Sequence, residues 1–213
     1  MRFRLAFSMI ELVMVIVVIG ILASVAIPNM DKDIRQGAID TVLSDVRLAQ
    51  QNALSDDKHD VNNTKWQRAY WHFAYYTCGN DVVYRVASDV DFDGTITNSE
   101  SALNSKDNKY LFADCNDLDD KDNSPKVNLT REHGISSVTT TGACQDSHIL
   151  AFDNLGRLHS DITSELPDYA HLVTKDSDKC QMRFSFQDDN LKPFTLEVTP
   201  IVGHIKIVEQ EYL

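Results

Sequence analysis

An apolar run from Met9 to Ile27, broken only by Glu11, Gly20 and Ser24, restricts this chain more than any other feature. A helix needs about 20 residues to cross a hydrocarbon core of about 30 Å, and the run is just long enough. A chain of 213 residues can hold one domain or an anchor with a smaller domain behind it, and the run selects the second. Arg2 and Arg4 precede it and acidic residues follow it, which places the N-terminus in the cytoplasm by the positive-inside bias. Beyond Met30 the sequence becomes an ordinary soluble one, rich in Asp, Asn, Ser and Thr, and the composition divides at Pro28.

Glu11 does not belong in a plain anchor. A charge at the centre of a spanning helix costs about 2.5 to 3.5 kcal/mol on insertion scales, and less near the helix end, so an ionisable group there points to a functional partner. The string Ala6-Phe7-Ser8-Met9-Ile10-Glu11 and the following Leu12 to Ala23 resemble the class III leader and helix of type IV pilins and type II secretion pseudopilins. The resemblance implies that a prepilin peptidase cuts between Ala6 and Phe7 and methylates the new amine of Phe7. It also implies that Glu11 is neutralised during assembly by the free amine of an incoming subunit. Pro28 falls where these helices commonly carry a proline, while Ala6 stands where the family usually has glycine.

The implied protein is a structural subunit of a type IV pilus or a type II secretion pseudopilus, assembled through its apolar helix, and not an enzyme. Its implied partners are the prepilin peptidase, other pilin or pseudopilin subunits and an inner-membrane assembly platform. Its implied location is the inner membrane, single-pass, with the globular domain periplasmic before assembly into a filament. The domain plan is a leader (1–6), a transmembrane helix (7–28), an amphipathic continuation (29–56) and a β-rich globular domain (57–213).

Past Pro28, Ile34, Ala38, Val42, Val46, Ala49 and Ala53 recur at three- or four-residue steps, so the helix continues to about Ser55 as an amphipathic segment. Trp71, Phe73 and Tyr75 alternate as in a strand, Cys78 to Asp81 reads as a turn, and Val82 to Ala87 is a second strand. Further strands are expected at Tyr110–Ala113, Ile149–Phe152, Met182–Phe186, Phe194–Val198 and His204–Val208. The fold class is α+β: a long N-terminal helix, half transmembrane and half amphipathic, packed on a mostly antiparallel sheet in a pilin-like layout. The segments Ile149–Arg157 and Leu196–Ile207 are similar to the C-terminal sheet of minor pseudopilins.

Residues Asp89 to Glu100 match the calcium-loop pattern D-x-[DN]-x-[DN]-G-x5-E at every fixed position. In such a loop alternate carboxylates surround a hard cation, here Asp89, Asp91 and Asp93. Gly94 permits the sharp bend, Thr95 offers its carbonyl and Glu100 closes the site with both oxygens. Calcium is the expected ion, and Ile96 sits where such loops bury an apolar residue. A second acidic stretch, Asp114 to Asp122, fits no single loop template and reads as a solvated charge run.

Cys78, Cys115, Cys144 and Cys180 are widely spaced with no C-x-x-C pair, which excludes a zinc ribbon or a thioredoxin-like motif. In an exported domain they form two disulfides. Of three possible pairings, Cys78 with Cys115 and Cys144 with Cys180 are favoured because each closes a loop of intermediate length, worth roughly 3 kcal/mol. The formal net charge of −12 argues against general nucleic-acid binding. Seven scattered histidines fall in no catalytic motif. A competing expectation is a signal-cleaved periplasmic or secreted calcium-binding domain with no filament role, cut after Ala26 in Ser24-Val25-Ala26.

Overall fold

The computed structural model describes residues 9–116, 118–145, 147–162, 171–175 and 179–208, with the backbone alone at 23–33. The expected leader, with Ala6 and Phe7, lies outside the described residues. Helix α1 (Met9–Ser55) runs on through Pro28 and consists of two unlike parts. From Ala38 onward one face is lined by Ala38, Ile39, Val42, Val46, Ala49 and Ala53, all at most 2% exposed. Their three- and four-residue spacing puts them on one stripe, and the small side chains let the strands approach closely. Ile34, expected on the same stripe, is exposed, and docking begins a turn later.

Among the described residues eight strands follow: β1 (Trp71–Cys78), β2 (Asp81–Ala87), β3 (Ile135–Thr141), β4 (Ile149–Phe152), β5 (Leu158–His159), β6 (Cys180–Phe186), β7 (Phe194–Val198) and β8 (Ile205–Val208). A short helix, α2 (Leu129–His133), precedes β3 and is capped by Asn128, whose side chain accepts from the Arg131 amide. The strands form two antiparallel four-stranded sheets, ordered β2-β1-β4-β5 and β3-β6-β7-β8. The docked part of α1 touches β1 and β4 of the first sheet and β8 of the second. It therefore closes one core shared by both, with Phe73, Tyr84, Leu150, Phe152, Phe184 and Phe194 fully buried in it.

Two expectations are corrected here. The β-region is not one sheet but two, because alternation within a short strand reveals which side chains face inward and not which strands pair. The expected transmembrane half is also not found: no helix among the described residues is long and apolar enough to cross a membrane. The pilin-like layout with a transmembrane half, and the single-pass inner-membrane location that went with it, are overturned on that finding. The expected strand at Tyr110–Ala113 is instead an irregular segment held by isolated bridges from Tyr110 to Leu103 and Asn123.

The docked helix is fastened to the sheets by polar contacts as well. Gln50 donates through Nε2 to the carbonyls of Gly156 (2.9 Å) and Gly203 (2.8 Å), and Arg35 donates to the carbonyl of Lys192 (2.9 Å). Asp45 is buried on α1, receives the Tyr84 hydroxyl and pairs with Lys126 at 2.9 Å. Burial and that carboxylate push the Tyr84 phenol well above its ordinary range. Disulfides join Cys78 to Cys115 and Cys144 to Cys180, the second wholly buried, and no free cysteine is left.

Candidate metal centre

Strand pairing decides what lies under the acidic loop. In the first sheet His72 pairs with Ala87 and Ala151, and Ala74 with Arg85 and Ile149. These residues share the face turned away from α1, because alternate residues of a strand point to the same side. That outer face is also covered: Trp66 and Tyr70 pack with Ala151 and Ile162, while Ile96 and Phe112 pack on Ala87. Ile96 is thus the apolar plug that seats the loop on the sheet.

The two ends of the loop are stitched together. Ser88 donates its amide to the Glu100 carbonyl (3.1 Å), Ala87 bridges to Ser101, and the Ser88 hydroxyl donates to the Ala69 carbonyl (2.6 Å). Between these anchors the chain coils tightly, with Phe92 at φ 62° and Gly94 at φ 85°. Glycine suits the second position for a further reason: a Cβ there would lie 3.2 Å from Nη1 of Arg68.

This coiling gathers Asp89, Asp91 and Asp93, each offering one oxygen within 4.8 Å of the others. Every one of these carboxylates spends an oxygen on the loop itself. Gly94 donates to Asp89 Oδ2 (2.9 Å), Asp93 to Asp91 Oδ1 (3.2 Å) and Thr95 to Asp93 Oδ1 (2.6 Å). The other oxygen of Asp89, Oδ1, is buried and has no hydrogen-bond partner among the described residues. Burial, with help from the Glu100 charge, raises the Asp89 carboxyl above its ordinary value despite the Gly94 amide. Three carboxylates at this spacing repel one another by about 1 kcal/mol per pair even at the dielectric constant of water. An oxygen-only donor set with a buried unsatisfied carboxylate oxygen fits a hard divalent cation such as calcium.

Glu100, a further expected ligand, is not in this group. Glu100 is buried, and its carboxylate fastens the loop, accepting from the Val90 amide (3.1 Å) and from the amide and hydroxyl of Thr97 (both 2.9 Å). Thr95 lies in the loop, where its amide holds Asp93. In the second acidic stretch, Asp119 pairs with Arg131 (2.5 Å) and Asp114 and Asp120 accept local amides, and the described members form no further metal-ligating group. Glu11 is exposed in the first turn of α1, and Pro28 lies where only the backbone is described.

Three residues near the loop were not singled out from sequence: Arg68, His72 and Arg85. The signal for Arg85 was available, since it interrupts the apolar stretch Val82 to Ala87 at a position that shares a face with Ala87. His72 was one histidine among seven. Burial holds its pKa down at about 4, with Arg85 pushing the same way, and its Nδ1 meets the Tyr70 carbonyl at 3.0 Å. No protein-family profile, curated protein or solved structure matches the chain.

Proposed function

We propose that the chain is a structural subunit, not an enzyme, that assembles into a filament of the type IV pilus or type II secretion pseudopilus kind. The observation that carries the reading is the first part of α1, where large apolar side chains from Met9 to Leu22 are between 47% and 90% exposed. Water charges roughly 25 cal/mol for each Å² of such surface, so a helix bare on every side needs a cover, and the same helix on other copies offers one. The leader motif and Glu11 give this cover its direction, with the Phe7 amine of an incoming subunit meeting the Glu11 carboxylate. The peptidase that frees that amine, companion subunits and an assembly platform are the partners this reading requires.

The globular domain carries a calcium ion in this proposal. Asp89, Asp91 and Asp93 would hold it, and Glu100 and Thr95 brace the loop around it. Bound calcium supplies positive charge that relieves the crowded carboxylates, and the chain's own residues do the rest: Gly94 and Thr95 hold the aspartates in place and Ile96 ties the loop to the sheet. The role is stabilisation of the face that covers β1 and β2.

The test is coexpression with a prepilin peptidase and intact-mass analysis of the product. A chain beginning at N-methylated Phe7 is expected. A start at Ile27 would overturn the filament reading in favour of a signal-cleaved domain.

A further inference from the structure

Between the acidic loop and the outer face of the first sheet lies a cavity of about 180 Å³, walled by Ile96 and Ile149 and carrying Arg68, His72, Arg85 and Asp89. It has room for several waters, too much for one bridging water and too little for a drug-sized ligand. Its polar groups are unevenly satisfied. His72 is 1% exposed, and its Nε2 has no hydrogen-bond partner among the described residues, nor has Nε of Arg85.

The tautomer of His72 follows from its other nitrogen. A carbonyl can only accept, so Nδ1, 3.0 Å from the Tyr70 oxygen, carries the proton. In the neutral ring Nε2 is then a bare acceptor, and it needs an O–H or N–H from whatever fills the cavity. Arg85, whose guanidinium lies 4.8 Å from the Tyr76 ring centre, needs an acceptor for its Nε–H. A guanidinium prefers a carboxylate, but a carboxylate alone has no proton for His72. An ammonium could supply one, yet the Arg85 charge already disfavours positive charge at the imidazole. A neutral hydroxyl beside a carboxylate meets both demands, and the isoleucines receive a short carbon skeleton.

We propose that this cavity binds a small α-hydroxycarboxylate, its carboxylate on Arg85 and its hydroxyl donating to Nε2 of His72. Arg68, which also donates to the Phe92 carbonyl (3.4 Å), stands at the loop side and adds a second positive charge that offsets Asp89. Asp89 lines the cavity and is also a ligand in the cation reading, so the two readings share one residue.

The experiment is calorimetric titration of the full chain in mild detergent with lactate and with propionate, which lacks only the hydroxyl. It is run once with calcium and once with chelator, so that an empty acidic loop does not confuse the result. Lactate is expected to bind with a Kd on the order of 1 mM and propionate at least about tenfold more weakly, since a site built for a hydroxyl leaves a polar group unpaired without it. Arg85→Met should abolish binding, and His72→Phe should make the two acids bind alike. Equal affinities on the wild-type chain, or no lactate binding at about 10 mM in either buffer, would overturn the proposal without recourse to the variants.

Discussion

The two parts of α1 belong to one helix and differ in everything that decides what a helix does. The first part carries large apolar residues, Ile, Val, Leu and Met, and exposes those described from Met9 to Leu22; the second carries mainly alanine and valine at its contact positions and buries them completely. Apolar content alone therefore predicts the wrong half as core. What buries a helix here is a stripe of small residues matched to a sheet and fixed at its edges by Gln50 and Arg47, the latter reaching the Ile205 carbonyl at 3.4 Å. The described side chains of the exposed part are bare around the whole helix, which suits packing against neighbours on several sides.

The sharpest way to break the contrast is to put one charge in each part. Val46→Asp buries a carboxylate without a partner and should cost about 4 kcal/mol or more in chemical denaturation; a loss below about 1 kcal/mol would show that the docked face does not hold the domain. Acid is next in size and acts on the docked domain only. The folded pKa of His72 is about 4 against an ordinary 6.5, so between these values the unfolded chain binds the proton and the folded one does not. Stability is complete above pH 6.5 and falls as pH drops toward 4, by about 3 kcal/mol from this group. Denaturation at pH 7, 5.5 and 4 should show that slope, and His72→Phe should flatten it; an unchanged slope in the variant would remove the assignment.

Calcium should have a comparable effect on the same outer face of the first sheet. At about 100 times its dissociation constant it adds about 2.7 kcal/mol, read as a higher melting temperature than in chelator, and Asp89→Ala with Asp91→Ala should abolish the difference. Equal melting temperatures for the unmodified chain in both buffers would reduce the loop to a solvated turn. Gly203→Ala tests the fastening of the docked part. Its φ is +61° and the new Cβ would meet the Gly156 carbonyl at 1.9 Å and Gln50 Nε2 at 2.6 Å, so a loss of about 2 kcal/mol is expected. The smallest effect on stability is expected from Ile16→Asp in the exposed part, within about 0.5 kcal/mol. That substitution should instead prevent filament formation seen by electron microscopy, and normal filaments would refute the assembly role.

Sequence made parts of this architecture legible for identifiable reasons. The β1–β2 hairpin announced itself through aromatic alternation and the Gly79 turn, and the helix stripe through its spacing, though Ile39 replaced Ile34 as a contact. Strand β3 was missed because Ile135-Ser136-Ser137-Val138 breaks the period of two: a bulge between Ile135 and Ser137 shifts the register, and most of the strand is Ser and Thr facing solvent. The aspartate trio was readable as a motif, but Glu100 could not be seen from spacing to be occupied by backbone amides. The cavity was invisible, since it depends on His72 and Arg85 coming together across paired strands.

The order of the disulfides along the chain has a consequence for biosynthesis. Cys78 pairs with Cys115 and Cys144 with Cys180, so each cysteine joins the next one in sequence and the two closed segments, with separations of 37 and 36 residues, do not overlap. Were the domain delivered to an oxidising compartment in chain order, Cys115 would arrive while Cys78 was the one earlier thiol, ahead of Cys144. An oxidase that simply joins successive thiols would then produce this connectivity with no isomerase to reshuffle mispaired sulfurs.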